Sequence, residues 1–457
     1  MNAPIAPLDL MWLLMETQAS PTHVGALLLF DKPRGRPHVV REIVEAYREH
    51  APTPPFNLVP RLGGATSLPH FETVTSFDAR YHTQHLALPR GSTYDDLLRL
   101  VADLHEPMLD RDRPLFRDWW IDGVPGNRFA LYTKVHHAIT DGVSGLRRLL
   151  GSFSTSPRGR MPRPAFAIPE PMHKPHPPQA LVDRLADLGL TATRQTRALR
   201  DVSLGALRKG LASLLYEEPV GSAPFTAHRG PMNEPLQMAR SIATLSLPID
   251  EMRAVGHRYG ATLNDLAVTL VDDALHRYLR RGGHAFTHKF VAFCPVSLRD
   301  EGDGTAGTKA SAMFVHLGEP RARIVDRIHQ VVAALDAGKQ DLRSMGRDAA
   351  MVYGVSLLGV AEFASATHVD RVTPPLANLV ISNVPGGRKR LYLAGAPLVS
   401  LFPVSAIAMS VGLNVTLASY HRHMNFGFVA DGARLHDLPQ LADDVAAAFT
   451  ELRTAAG

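Results

Sequence analysis

Residues 391–420 contain no charged side chain. A stretch of that length can cross a bilayer as one helix. It can equally be several buried strands joined by turns. Gly395, Pro397, Pro403, Gly412 and Asn414 interrupt it, with serine and threonine scattered between. Helices tolerate such breaks poorly, whereas strands separated by turns require them. Buried strands lining a cavity are therefore the better reading. The rest of the chain alternates strands with amphipathic helices, so the expected fold class is α/β, with a mixed sheet and flanking helices in each half.

With 457 residues and 45% hydrophobic content, the chain can bury a large core. Its formal charge of +5 is mild for this length, so a nucleic-acid partner is not indicated. The single cysteine, Cys294, excludes an intramolecular disulfide and any multi-cysteine metal site. Residues 1–9 lack a basic segment followed by an apolar core, so no secretory signal is expected and a cytoplasmic location is.

Prolines crowd residues 154–178, and such density opposes both helix and sheet. We read this stretch as an extended connector, and expect a first lobe over 1–178, a helical linker over 179–235 and a second lobe over 236–457. The helix expected within 179–216 carries Arg194, Arg197, Arg200, Arg208 and Lys209. It is either an exposed, solvated linker or a basic face for a membrane. In the first lobe, Asp9 is placed to cap a helix over 10–15. In the second, Thr262 and Asp265 have capping-box spacing at the head of a long helix.

Chemistry concentrates at 129–150. Phe129–Thr133 reads as a strand, and Val143–Leu150 as a helix entered through a turn. Between them run Lys134-Val135-His136-His137-Ala138-Ile139-Thr140-Asp141-Gly142. Adjacent strand residues face opposite sides, so only one histidine can face a given cavity. The other must pack or bond elsewhere. Asp141 suits the helix N-cap, and Gly142 suits a backbone bend. A metal site is disfavoured, because the two histidines diverge and no third ligand has helical spacing to them.

His136 to Gly142 resembles the HHxxxDG signature of the coenzyme A-dependent acyltransferases, the superfamily of chloramphenicol acetyltransferase-like enzymes and condensation domains. More narrowly, the chain resembles bacterial wax ester synthase/acyl-CoA:diacylglycerol acyltransferases. The matching stretches are Pro7-Leu8-Asp9, Glu16, His23-Val24-Gly25, Arg113-Pro114-Leu115, Asn264-Asp265, Pro295 to Arg299, Asn378 to Gly387 and Phe426-Gly427. The resemblance implies a two-lobed chloramphenicol acetyltransferase-like fold with a tunnel between the lobes. It implies transfer of a long acyl group from acyl-CoA, as co-substrate and without a further cofactor, to a fatty alcohol or a diacylglycerol. It also implies His137 as the base and Asp141 as an anchor pointing away from the cavity. A condensation-type enzyme with another carrier, or a non-catalytic lipid-surface protein, is the alternative.

An alcohol attacking a thioester needs a base, and His137 has both the chemistry and the context. No nucleophile stands out. Cys294 lies in an apolar strand, and Gly142-Val143-Ser144-Gly145-Leu146 fails the serine-elbow pattern at its fifth position. Oxyanion donors could come from Asn264 or from Ser382 and Asn383, though helix capping and turn bonding explain them equally. His136 reads as an anchor, and Arg299 as a partner for Asp141. Arg388, with Lys389 and Arg390, is a candidate patch for coenzyme A phosphates or an ordinary exposed turn. Without a convincing span, attachment to the inner face of the membrane or to lipid bodies would be peripheral.

Overall fold

The computed structural model describes residues 2–63, 68–159, 161–169, 224–284, 286–297 and 310–345, scattered residues between 350 and 365, and residues 367–455. The chain opens with strand β1 (Asn2–Pro4), helix α1 (Pro7–Met15), β2 (His23–Asp31), α2 (Val39–Arg48), β3 (Leu58–Arg61), β4 (His70–Thr73) and the short α3 (Ala79–His82). Next come β5 (Thr83–Ala87), α4 (Tyr94–His105), β6 (Phe116–Val124), β7 (Arg128–His136) and α5 (Gly142–Gly151). The later part holds β8 (Arg240–Pro248), α6 (Ile249–Arg258), α7 (Leu263–Arg281), β9 (Val291–Ser297), β10 (Ala310–His316) and α8 (Ile324–Ser344). It ends with β11 (Leu379–Val384), β12 (Tyr392–Leu393), β13 (Ala396–Val404), β14 (Leu413–Tyr420), β15 (His423–Asp431) and α9 (Leu438–Ala455).

Two mixed six-stranded sheets organise two lobes. The first runs β12-β13-β2-β7-β6-β5 and the second β10-β9-β11-β14-β15-β8, with a small β1-β4-β3 sheet beside the first. The uncharged stretch is buried strand, as expected, but it is divided between the lobes. β14 sits inside the second sheet, whereas β12 and β13 complete the first, with β13 antiparallel to β2. The sequence reading assigned all of 236–457 to the second lobe. Apolar alternation tells a strand that it is buried, not which sheet it joins.

Alternation on β2 and β7 separates two faces. Leu27, Leu29 and Tyr132 join Ile242, Phe402 and Val429 in a core that ties the lobes together. Leu28, Phe30 and Leu131 pack on the other side with Val40, Ile43 and Val44 of α2 and with Leu146 of α5. The lobes also meet backbone to backbone, since a Cβ on Gly427 of β15 would stand 1.8 Å from the carbonyl oxygen of Pro403 in β13. α7 is buried along nearly its whole length and starts in the expected box, with Thr262 and Asp265 bonding each other's backbone N–H. The connector departs from expectation. Residues 165–167 form a 3-10 turn whose Phe166 is buried against the first lobe.

Several histidines are buried in the neutral form. Burial pushes His82 down from 6.5 to about 4 despite its bond to the Phe116 carbonyl, and drives His23 and His105 well below 6.5. The unfolded chain therefore takes up protons before the folded one as pH falls. The stability these histidines contribute is complete above about 6.5 and is lost progressively toward 4, offset in part by buried Asp9 and Asp118, whose raised carboxyls protonate first in the folded chain. The urea midpoint is expected to drop steeply over that window, and a midpoint that stays level from pH 7 to 4 would contradict this account.

Candidate active site

The two histidines diverge at the end of β7. The His136 side chain is fully buried. Its Nδ1 accepts the Ala138 N–H at 3.0 Å, which leaves the proton on Nε2. Nε2 stands 3.2 Å from Thr22 Oγ1 and 3.4 Å from Glu16 Oε2. Glu16 in turn accepts from Arg111 at 3.0 Å and from the Thr22 N–H at 3.2 Å. Burial works to raise the Glu16 carboxyl, but the bonds and charges of His136 and Arg111 outweigh it and hold the group below its ordinary value. His136 thus anchors the strand end. Removing Glu16 would strand two polar partners in a buried place, at a cost of about 3 kcal/mol or more. Glu16→Ala is expected to lower melting temperature and activity together; activity lost at unchanged melting temperature would show that the network is not an anchor.

His137 is half-buried and held by its own backbone, whose N–H bonds the Thr22 carbonyl at 3.0 Å. Its ring stacks on Trp12, with centroids 4.2 Å apart. Nδ1 is buried and makes no conventional hydrogen bond. Burial pushes the ring down to about 4, against the upward pull of its own backbone and of Asp141. At neutral pH the ring is therefore uncharged, with a lone pair to offer.

Asp141 caps α5 as expected, its Oδ1 accepting the Ser144 N–H at 2.7 Å and its Oδ2 the Ser144 hydroxyl at 3.1 Å. Asp9 does not cap α1. That position falls to Ala6, which makes no side-chain bond. Asp9 lies in the first turn instead, raised to about 6 by burial and then by the charge of Asp141. Gly142 makes no positive-φ bend; it begins the helix, where a Cβ would come 3.9 Å from Val384 of β11. The lobes touch at this point.

A cavity with about 930 Å³ of empty space, its mouth included, opens beside the turn. Val24, Ala26, Leu131 and Val135 line it from the first sheet, and Leu146 and Leu149 from α5. Phe166 closes one side, and Val384 and Thr416 bring in the second sheet. The cavity therefore takes its walls from both lobes, most of them from the first. Asp141 and Gly142 are among its lining residues, while both Asp141 carboxylate oxygens are engaged with Ser144 at the head of α5. The His137 ring does not line it and stands behind on Trp12, although strand alternation puts position 137 on the side of Val135.

The second lobe brings Asn264 and Asn383 together, the Asn383 side-chain N–H donating to Asn264 Oδ1 at 3.2 Å. Ser382 alternates in phase with Val384, and its parallel-strand partner is Thr416, so it shares their face. Arg388 lies in the exposed turn after β11, beside exposed Lys389 and Arg390. Arg299 and the 179–216 helix fall outside the described residues. Among the described residues, no group of three or more histidine, cysteine or acidic side chains is placed to hold a metal, and no helix is long and apolar enough to cross a membrane. Sequence reasoning gave no role to Trp12 or Thr22. Nothing in their spacing ties them to positions 136 and 137; only the closed fold does.

Comparison with known proteins agrees with this architecture. Residues 5–267 match the wax ester synthase/diacylglycerol acyltransferase catalytic domain, and residues 306–453 match the C-terminal domain of the same family. The chain is 34% identical to the probable diacylglycerol O-acyltransferase Tgs4 of Mycobacterium tuberculosis, across 99% of this chain and 97% of that one. A putative diacylglycerol O-acyltransferase of Mycobacterium bovis is 33% identical across 99% of each. The solved wax ester synthase/diacylglycerol acyltransferase of Marinobacter aquaeolei VT8 superposes over the full length of both chains, with a TM-score of 0.78 at 26% identity. The first condensation domain of the calcium-dependent antibiotic synthetase shares the fold, with a TM-score of 0.56 at 16% identity over 100% of this chain and 96% of that one. The chain belongs to the wax ester synthase/diacylglycerol acyltransferase family and is an acyltransferase.

Proposed function

We propose that the protein moves a long acyl group from acyl-CoA to the hydroxyl of a fatty alcohol or a diacylglycerol, with His137 as general base and no covalent intermediate. The observation that carries this reading is the state of His137. It is neutral, is held by its backbone bond to Thr22, and stands at a rigid strand end beside an apolar cavity. His137 takes the hydroxyl proton as the oxygen bonds to the thioester carbonyl carbon. The carbon–sulfur bond then breaks, and the proton returns to the departing thiolate. Asn264 accepts from Asn383 through Oδ1, which leaves its Nδ2 to donate to the tetrahedral oxyanion. Ser382, on the opposite face of β11 with Val384 and Thr416, is the alternative donor. Arg388 and its basic neighbours would meet the coenzyme A phosphates, and the apolar cavity would take hydrocarbon. Attachment to a membrane or lipid body would be peripheral.

The test supplies labelled palmitoyl-CoA with hexadecanol, and separately with dioleoylglycerol. Labelled ester is expected from at least one acceptor. No ester from either overturns the reading.

A further inference from the structure

One part of the cavity wall is chemically out of place. Asp118 of β6 lines it among apolar neighbours, with only 8% of its surface exposed. Its cross-strand partner Thr133 donates to Asp118 Oδ1 at 2.6 Å. Tyr47 of α2 lines the same place and is 2% exposed, and its hydroxyl is buried without a hydrogen-bond partner. The other lining hydroxyls are already satisfied. Ser152 bonds the Leu149 carbonyl at 2.6 Å, and Ser405 and Thr416 bond each other at 2.8 Å. A buried phenol and a buried carboxyl facing empty apolar space are costly unless something polar completes them.

Burial pushes Asp118 up to about 7, against the Thr133 bond, so near neutrality its carboxyl can either donate or accept. A hydrocarbon chain alone would satisfy neither group. Position 133 on β7 lies four residues before His137, which follows the strand's last residue, roughly 13 Å at strand rise, which about ten extended chain carbons cover.

We propose that Asp118, Thr133 and Tyr47 form a polar subsite that receives a hydroxyl or keto group carried about ten carbons from the reacting end of a substrate chain. The position of the reacting end rests on the function proposed above; the existence of the subsite does not. The substrate class is thus a mid-chain oxygenated acyl group or alcohol, favoured over its plain counterpart.

Binding is tested first, without catalysis. Stearate and 12-hydroxystearate compete against a fluorescent fatty acid on wild type, Asp118→Leu, Asp118→Asn and Tyr47→Phe. The wild type is expected to bind 12-hydroxystearate about tenfold more tightly, the scale of one well-made buried hydrogen bond. Asp118→Leu should abolish the preference, Tyr47→Phe should reduce it, and Asp118→Asn should keep part of it. Equal affinities in the wild type, as expected if the cluster holds only water, overturn the proposal. A preference unchanged in Asp118→Leu does so too. If Asp118→Leu does not fold, Tyr47→Phe decides.

Two turnover arms then find the source of the chain. One pairs 12-hydroxystearoyl-CoA with hexadecanol, the other stearoyl-CoA with 1,12-octadecanediol. The arm whose kcat/KM preference disappears in Asp118→Leu identifies the acyl or the acceptor chain, and no preference in either arm counts against the subsite. Absence of ester from plain stearoyl-CoA and hexadecanol would instead fault the proposed function, while the binding ratio still judges the subsite.

Discussion

His137→Ala is expected to slow ester formation with either acceptor by roughly 10²- to 10⁴-fold, the usual reach of a positioned general base. The fold should be spared. The ring is half-buried, its backbone bond to Thr22 survives the change, and the lost contact is the Trp12 stack. A melting temperature close to wild type with activity nearly gone would separate this residue from Glu16, whose loss should reduce both. The pH profile gives a second reading. Because burial holds the free-enzyme ring at about 4, the base stays unprotonated well below the ordinary 6.5. The acid limb of kcat/KM should therefore fall nearer 4 than 6.5, provided assays are short enough to outrun acid unfolding. An undiminished rate in His137→Ala would overturn the assignment, and a limb centred at 6.5 would contradict the buried, neutral ring.

Much of this was legible in the sequence, for physical reasons that differ by element. The strand ending at His136 and the helix beginning at Gly142 announced themselves by a change of period and by a capping aspartate. The divergence of His136 and His137 followed from alternation alone. Thr262 and Asp265 could be paired because a capping box is a local device. What stayed hidden depends on partners distant in the chain. β13 carries the same apolar signal as β14, yet joins the other sheet. Asp9 had the spacing of a cap, but the chain enters α1 earlier, through Pro7, and turns Asp9 toward Asp141. Proline density over residues 154–178 suggested an extended connector, but it could not show that Phe166 folds back in a 3-10 turn as a wall of the cavity. Nothing in the sequence sets Asp118 apart, and only closure of α2 and α5 over the sheet makes it a carboxyl facing an apolar space.

Gly427→Ala is expected to cost more than about 4 kcal/mol, which few single substitutions reach. The added carbon would stand 1.8 Å from the Pro403 carbonyl oxygen, far inside contact distance, and the obstacle is backbone rather than a side chain that could rotate away. Neither strand can give locally. β15 is held between β14 and β8, with Gly427 opposite Thr416 and Thr244, while Pro403 is registered on Ala26 of β2. Relief would require parting the two sheets at the core formed by Leu27, Phe402 and Val429. For a lobe of this size each kcal/mol moves the melting temperature by about 2–4 °C, so a fall of roughly 10 °C or more is expected, or no soluble protein. Gly142→Ala is the control. Its new carbon meets Val384 at 3.9 Å, an ordinary contact, so it should melt like wild type although it sits in the histidine motif. A Gly427→Ala protein melting within a degree or two of wild type would mean that the lobes are not locked at this crossing. Because Pro403, Ser405 and Thr416 line the cavity around that crossing, the same substitution should empty it of bound chain even in any fraction that still folds.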